Sequence, residues 1–156
     1  MKNATKKRQR AVAHPKNNVG QVRYELFSQV FSQIKAAREQ GFYIEAIALV
    51  DSLVTDRLES RLSRLLGQDI SFKTLGSVIT KANMHEVDEQ LKSTISSLLD
   101  HWRKERNAAL HEMAKLADGD YKTWSDRYKA LCPVCEEGIQ ILRLIDNRCK
   151  KLGRQR

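Results

Sequence analysis

Apolar residues recur at spacings of three and four through most of residues 20–152, which is the spacing that gathers one apolar face on a helix. From about 20 to 40 the series is Val22, Leu26, Phe27, Val30, Phe31 and Ile34, and Gly41 stops it. From 42 to 66 it is Ile44, Ile47, Val54, Leu58, Leu62 and Leu65, with Gly67 as the stop. Residues 67–73 read as a loop, 74–83 as a short helix, and Asn83 to His85 as a second break. A long helix is predicted over 86–117, carrying Leu91, Ile95, Leu98, Leu99, Trp102, Leu110, Met113 and Ala117. Asp118-Gly119-Asp120 makes a turn. A last helix is predicted over 121–152, with Trp124, Tyr128, Leu131, Cys135, Ile139, Leu142, Ile145, Cys149 and Leu152 on one face. Pro133 falls inside that pattern and predicts a kink or break near 131–133, because proline removes an internal hydrogen bond. The chain has only 7 Gly and 2 Pro, which favours long helices over many short strands. The expected fold is all-α: an antiparallel bundle of four main helices, four to five in all.

A chain of 156 residues can bury a core as one domain. Its net charge of +9 is unevenly placed. Residues 1–23 carry seven basic residues and no acid, and residues 148–156 carry five more and no acid. Removing those twelve from the 28 cations of the chain leaves 16 against 19 acids, so the body is slightly acidic. Residues 1–19 read as a flexible basic arm, 20–152 as the bundle and 153–156 as a basic tail. Basic ends attract polyanions, nucleic acid above all, and Lys6, Lys7, Arg8, Arg10, Lys150 and Lys151 are the candidate phosphate contacts. Three cysteines, with no apolar run after the basic N-terminus, point to a reducing compartment, and no stretch is apolar enough to span a membrane. The expectation is a cytoplasmic protein with no membrane association.

Two charges sit on apolar faces. With Arg106 as the origin of its helix at 100° per residue, Ile95, Leu99, Trp102, Leu110 and Met113 all fall within about 40° of it. With Leu58 as origin on the second helix, Asp51 falls at about +20°, among Ile47, Val54 and Leu65. An unpaired charge on either face would be costly. One reading is a purely structural pair across the bundle. The other is that Asp51 holds Arg106 in one rotamer so that its guanidinium faces a cleft. His111, five positions after Arg106, lies at about +140° and does not share its face on a straight helix. Either the helix deforms, or the two act from opposite sides of a groove shared with another subunit.

The segment Arg106-Asn107-Ala108-Ala109-Leu110-His111 resembles the motif of the HEPN superfamily: Arg, a polar residue, then His, on the third main helix of a small bundle. The apolar helix over 42–66 with its acidic Asp51 is similar to that family's second helix. The resemblance implies a HEPN-like bundle and a metal-independent endoribonuclease that works as a homodimer, with RNA as partner and no cofactor or metal. Arg106 and His111 would be catalytic, Asn107 would assist, and Asp51 would orient Arg106. It also implies a place among toxins or antiviral defence effectors, with an antitoxin or other defence-system protein as a further partner. One branch of the family often carries Tyr two residues after the His. Met113 stands there, which points to another branch.

Other patterns have plainer readings. Cys132-Pro-Val-Cys135 has the spacing of half a zinc site, but no second pair exists, so buried packing cysteines are expected. His85 with Glu86, Asp88 and Glu89 reads as a helix N-terminus rather than a metal cluster. His101 reads as a surface histidine, and Trp102 and Trp124 as core or dimer-interface aromatics. Two other functions remain open: a non-enzymatic helical nucleic-acid-binding or assembly protein that uses its basic termini, and a nuclease-dead scaffold that binds a nucleotide or protein in the same groove.

Overall fold

Seven α-helical segments fold onto one core in the computed structural model, which describes residues 8–68 and 72–154. They are α1 (Val19–Glu39), α2 (Tyr43–Leu66), α3 (Leu75–His85), α4 (Glu89–Ser93), α5 (Asp100–His111), α6 (Trp124–Lys129) and α7 (Leu131–Arg154). A π-helical stretch, Thr94–Leu99, joins α4 to α5, so residues 89–111 form one continuous helix. The described residues contain no strand. The all-α bundle follows from the apolar spacing, with α1, α2, α3, the 89–111 helix and α7 as its five principal helices and α6 a short turn beside them.

Ion pairs and polar contacts give the directions. Arg23 of α1 meets Asp56 of α2, and Gln33 meets Glu45, so α1 and α2 are antiparallel. Arg106 meets Asp51 and Glu86 meets Arg61, so the 89–111 helix also runs against α2. Trp102 meets Val134 and Asp88 meets Arg148, so α7 runs against that helix and parallel to α2. This is an up-and-down bundle in which α2 and α7 form the central parallel pair. Burial agrees: α2 buries ten residues and α7 nine, whereas α1 buries only Ile34 and Ala37.

Local chemistry sets the ends. The α1–α2 turn is a Schellman closure: Gly41 N–H donates to Arg38 O, Phe42 N–H donates to Ala37 O, and Gly41 takes φ 77°. The Tyr128 hydroxyl donates to Gly41 O and accepts from Tyr43 N–H, pinning this turn to α6. Thr74 and Asp88 cap α3 and α4 by accepting from Ser77 N–H and Leu91 N–H. The break expected near Pro133 falls at Ala130, and Pro133 occupies the first turn of α7, where its missing N–H has no helical partner to lose.

Several boundaries and faces differ from the sequence reading. The long helix starts at Glu89, after an extended Glu86–Asp88 link, and ends at His111, so Met113 and Ala117 lie beyond it. Leu98, read as part of the stripe, is 44% exposed. A π stretch takes more residues per turn, which carries Leu98 farther from Ile95 around the axis than an α turn would. Val22 and Leu26 are also exposed, because no helix covers the first half of α1. Trp102 is fully buried, but Trp124 is exposed and rests on Tyr128. Within the segment expected to be a free arm, Arg10 is anchored to α2, while residues 11–18 are exposed. The Arg10 guanidinium lies 2.6 Å from Asp56 and 3.1 Å from Glu59, and it donates to Ser60. Among the described residues, no helix is long and apolar enough to cross a membrane.

Two buried details test this packing. Trp102 lies flat on the backbone of α7 and donates its indole N–H to Val134 O at 2.8 Å. A Cβ at Gly138 would stand 2.7 Å from that ring. Gly138→Ala should therefore lower the melting temperature, since overpacking of about 1–3 kcal/mol outweighs the roughly 1 kcal/mol gain in helix propensity. The second detail is Glu86, whose carboxylate is bidentate to Arg61 at 2.8 and 2.9 Å and accepts the N–H groups of Val87 and Asp88. Burial alone would push its pKa up, but these hydrogen bonds together outweigh it and hold the carboxyl below its usual range. Ionised Glu86 thus stabilises the fold above the ordinary carboxylate range, and the contribution is lost as pH falls through the lowered value. Glu86→Gln should cost about 3–5 kcal/mol at pH 7. It should also flatten the acid limb of stability, as read by denaturant melts across pH.

Candidate functional site

The sequence placed Asp51 and Arg106 on facing apolar surfaces, and the fold brings them together. Arg106 Nη2 donates to Asp51 Oδ1 at 2.9 Å, and its Nη1 donates to Asn107 Oδ1 at 2.6 Å. The guanidinium is thus held by one residue across the bundle and one on its own helix. Its Nε–H is buried with no hydrogen-bond partner. The pair is not sealed inside: the Arg106 side chain is 13% exposed and that of Asp51 30%.

Both residues line an open cleft of about 820 Å³. Much of its wall is apolar, with Val22, Leu26 and Val30 from α1, Leu53 from α2, and Phe72 and Leu75 beside them, and Arg10, Arg23, Asp56 and Glu59 add further charge. Sequence reasoning assigned Val22 and Leu26 to the core, whereas they face this space. The signal that could have separated them is the helix count, since only the second half of α1 has a partner on that side. The cleft sets the charge state of its acids. Burial pushes the Asp51 carboxyl up, and the attraction and hydrogen bond of Arg106 offset this only in part. Farther along α2, burial likewise pushes Glu59 up, although Lys73 N–H donates to it at 2.7 Å and Arg10 lies beside it.

His111 is the last residue of α5 and is exposed. The segment Asp100–His111 is regular α-helix, and the π stretch ends before it begins. No deformation therefore rotates His111 toward Arg106. At 1.5 Å and 100° per residue it lies about 7.5 Å along the axis from Arg106 and well off its face.

The basic residues have different fates. Lys6 and Lys7 lie outside the described residues. Arg8 and Lys151 are exposed. Arg10 is buried, 2.6 Å from Asp56 and 3.1 Å from Glu59. Lys150 is half-exposed and lies 2.6 Å from Asp146. Cys135 and Cys149 are buried, and burial pushes both thiols up to about 11, which suits packing rather than reactivity. His101 is exposed, 3.4 Å from Glu105.

No family model, curated protein or solved structure matches this chain. The site is therefore read from its own chemistry. Replacing Arg106 by Met should raise the Asp51 pKa further, because both influences that pull it down disappear. Carboxyl-carbon NMR titration of Asp51 in the two proteins reads this directly, and an unchanged value would show that the pair does not form in solution.

Proposed function

We propose that this chain is a HEPN-like, metal-independent endoribonuclease acting as a homodimer, with Arg106 and His111 as its catalytic pair. One observation carries the reading: the Arg106 guanidinium, centred on an apolar helix face, is oriented by Asp51 and Asn107 at an open cleft instead of being consumed in the core. A purely structural pair would gain nothing from that opening.

The straightness of α5 supports the dimer. Within one chain His111 cannot approach the group that Arg106 holds, so the two motifs work best from opposite sides of a seam between copies. In that arrangement an imidazole near its neutral form takes the proton of an RNA 2′-hydroxyl. The 2′-oxygen attacks the adjacent phosphorus, and the bond to the 5′-oxygen breaks. The imidazolium of the second copy gives the leaving oxygen its proton. Arg106 presents a planar fork to the phosphate and stabilises the charge that develops on its oxygens. The products are a 2′,3′-cyclic phosphate and a 5′-hydroxyl. A toxin or defence role, with a protein inhibitor or activator, fits such an activity. The alternative of a free basic arm as sole functional element is less well supported, because Arg10 is tied to α2.

Purified protein should cleave single-stranded RNA in excess chelator, and Arg106→Ala and His111→Ala should each slow cleavage by about 100-fold or more. Cleavage that persists in both single variants would remove the proposed site.

A further inference from the structure

A second cavity, of about 670 Å³, opens near the C-terminal end of α2, and it is lined by Arg10, Arg23, Arg57, Arg64 and Lys150. No carboxylate lines it. The cations come from four places in the chain: the segment before α1, α1 itself, α2 and the end of α7. Arg10 and Lys150, from opposite ends of the sequence, meet here.

The neighbouring acids do not balance these charges. Asp56 is shared by Arg10 at 2.6 Å and Arg23 at 3.6 Å. Asp146 is likewise shared by Arg57 at 2.8 Å and Lys150 at 2.6 Å. Glu59, the third acid, lies 3.1 Å from Arg10. Arg64 makes no ion pair among the described residues. Five cations therefore meet three carboxylates, and none of the three lines this cavity. Arg57 Nε–H is buried with no hydrogen-bond partner. The crowding registers on Arg23, whose pKa is lowered by burial first and then by Arg10, only partly offset by Asp56 and reinforced by Arg57 and Arg64. Like charges gathered in a recess repel one another, and an anion carrying more than one charge relieves that cost. Guanidinium groups match phosphate oxygens in geometry as well as charge.

We propose that this cavity is a binding site for a phosphate group of multiple negative charge, either a free polyphosphate or successive phosphates of a nucleic-acid strand. It adjoins the Arg106 cleft, with which it shares Arg10 and Arg23, and its far end at Arg64 lies about 20 Å along α2 from Asp51. The inference does not rest on the ribonuclease reading.

The test is calorimetric titration of the full chain with inorganic tripolyphosphate at low salt. Wild type should bind, and affinity should fall steeply as salt rises. Arg64→Glu, at an exposed position, should weaken binding at least tenfold, and Arg23→Gln should weaken it severalfold. Lys129→Glu, which changes net charge equally on the exposed α6, should leave binding unchanged. Circular dichroism melts confirm that each variant is folded. No binding by wild type, or equal weakening by Lys129→Glu and Arg64→Glu, would overturn the site. A single-stranded 2′-deoxy oligonucleotide, which cannot be cleaved through a 2′-hydroxyl, separates the two sources. Its displacement by tripolyphosphate assigns the cavity to a strand backbone, and tripolyphosphate binding that the oligonucleotide leaves untouched assigns it to a free polyphosphate.

Discussion

The charges of α2 hold the bundle in register. Five ionisable residues between positions 51 and 61 together reach five other parts of the chain: Asp51 to Arg106, Asp56 to Arg10 and Arg23, Arg57 to Asp146, Glu59 to Arg10, and Arg61 to Glu86. Apolar faces of a helix pair tolerate sliding and rotation, since Leu against Ile differs little from Leu against Val. Partly buried charges do not tolerate it, because a shift of one turn would leave each of them desolvated and unpaired. Such pairs add little net stability after desolvation, so their contribution here is to select one arrangement of five elements around a common wall.

That arrangement produces both the Arg106 cleft and the cationic cavity. The first half of α1 leaves one side of α2 uncovered, and the exposed faces of Val22 and Leu26 become the walls of the Arg106 cleft. The segment before α1 then crosses α2 at Arg10, which lines both cavities. The cleft that carries Asp51 and Arg106 and the cationic cavity thus adjoin, and Arg10 and Arg23 line both. The two differ in the chemistry they present: oriented donors among hydrocarbon in one, uncompensated positive charge in the other.

The packing of Trp102 shows how the site is kept rigid. Its indole lies against α7 where Gly138 has no side chain, one helical turn before Arg106. The helix that presents the Arg-Asn-x-x-x-His segment is therefore fastened to the central pair beside Arg106. Farther upstream, Glu86 and Asp88 tie the start of that helix to α2 and α7 through Arg61 and Arg148. Between these two fixed points lies the π stretch, which takes up the difference in phase.

Much of this was legible in the chain. Three-and-four spacing of Leu, Ile and Val fixed the helices and most of their ends, because Gly41, Gly67 and Pro133 act locally. The wheel positions of Asp51 and Arg106 were enough to foresee their pairing, since two desolvated charges on facing surfaces have few other partners. Tertiary structure alone decided the rest. Periodicity cannot tell a face that meets a helix from one that meets a cleft, so Val22 and Leu26 looked like core. Nor can it register a π turn, which moved Leu98 outward. Basic termini look alike as text, yet Arg10 is buried on α2 and shares a cavity with Lys150. Pairing over 140 residues depends on where the helices cross, and crossing is set by packing of the whole chain rather than by any segment of it.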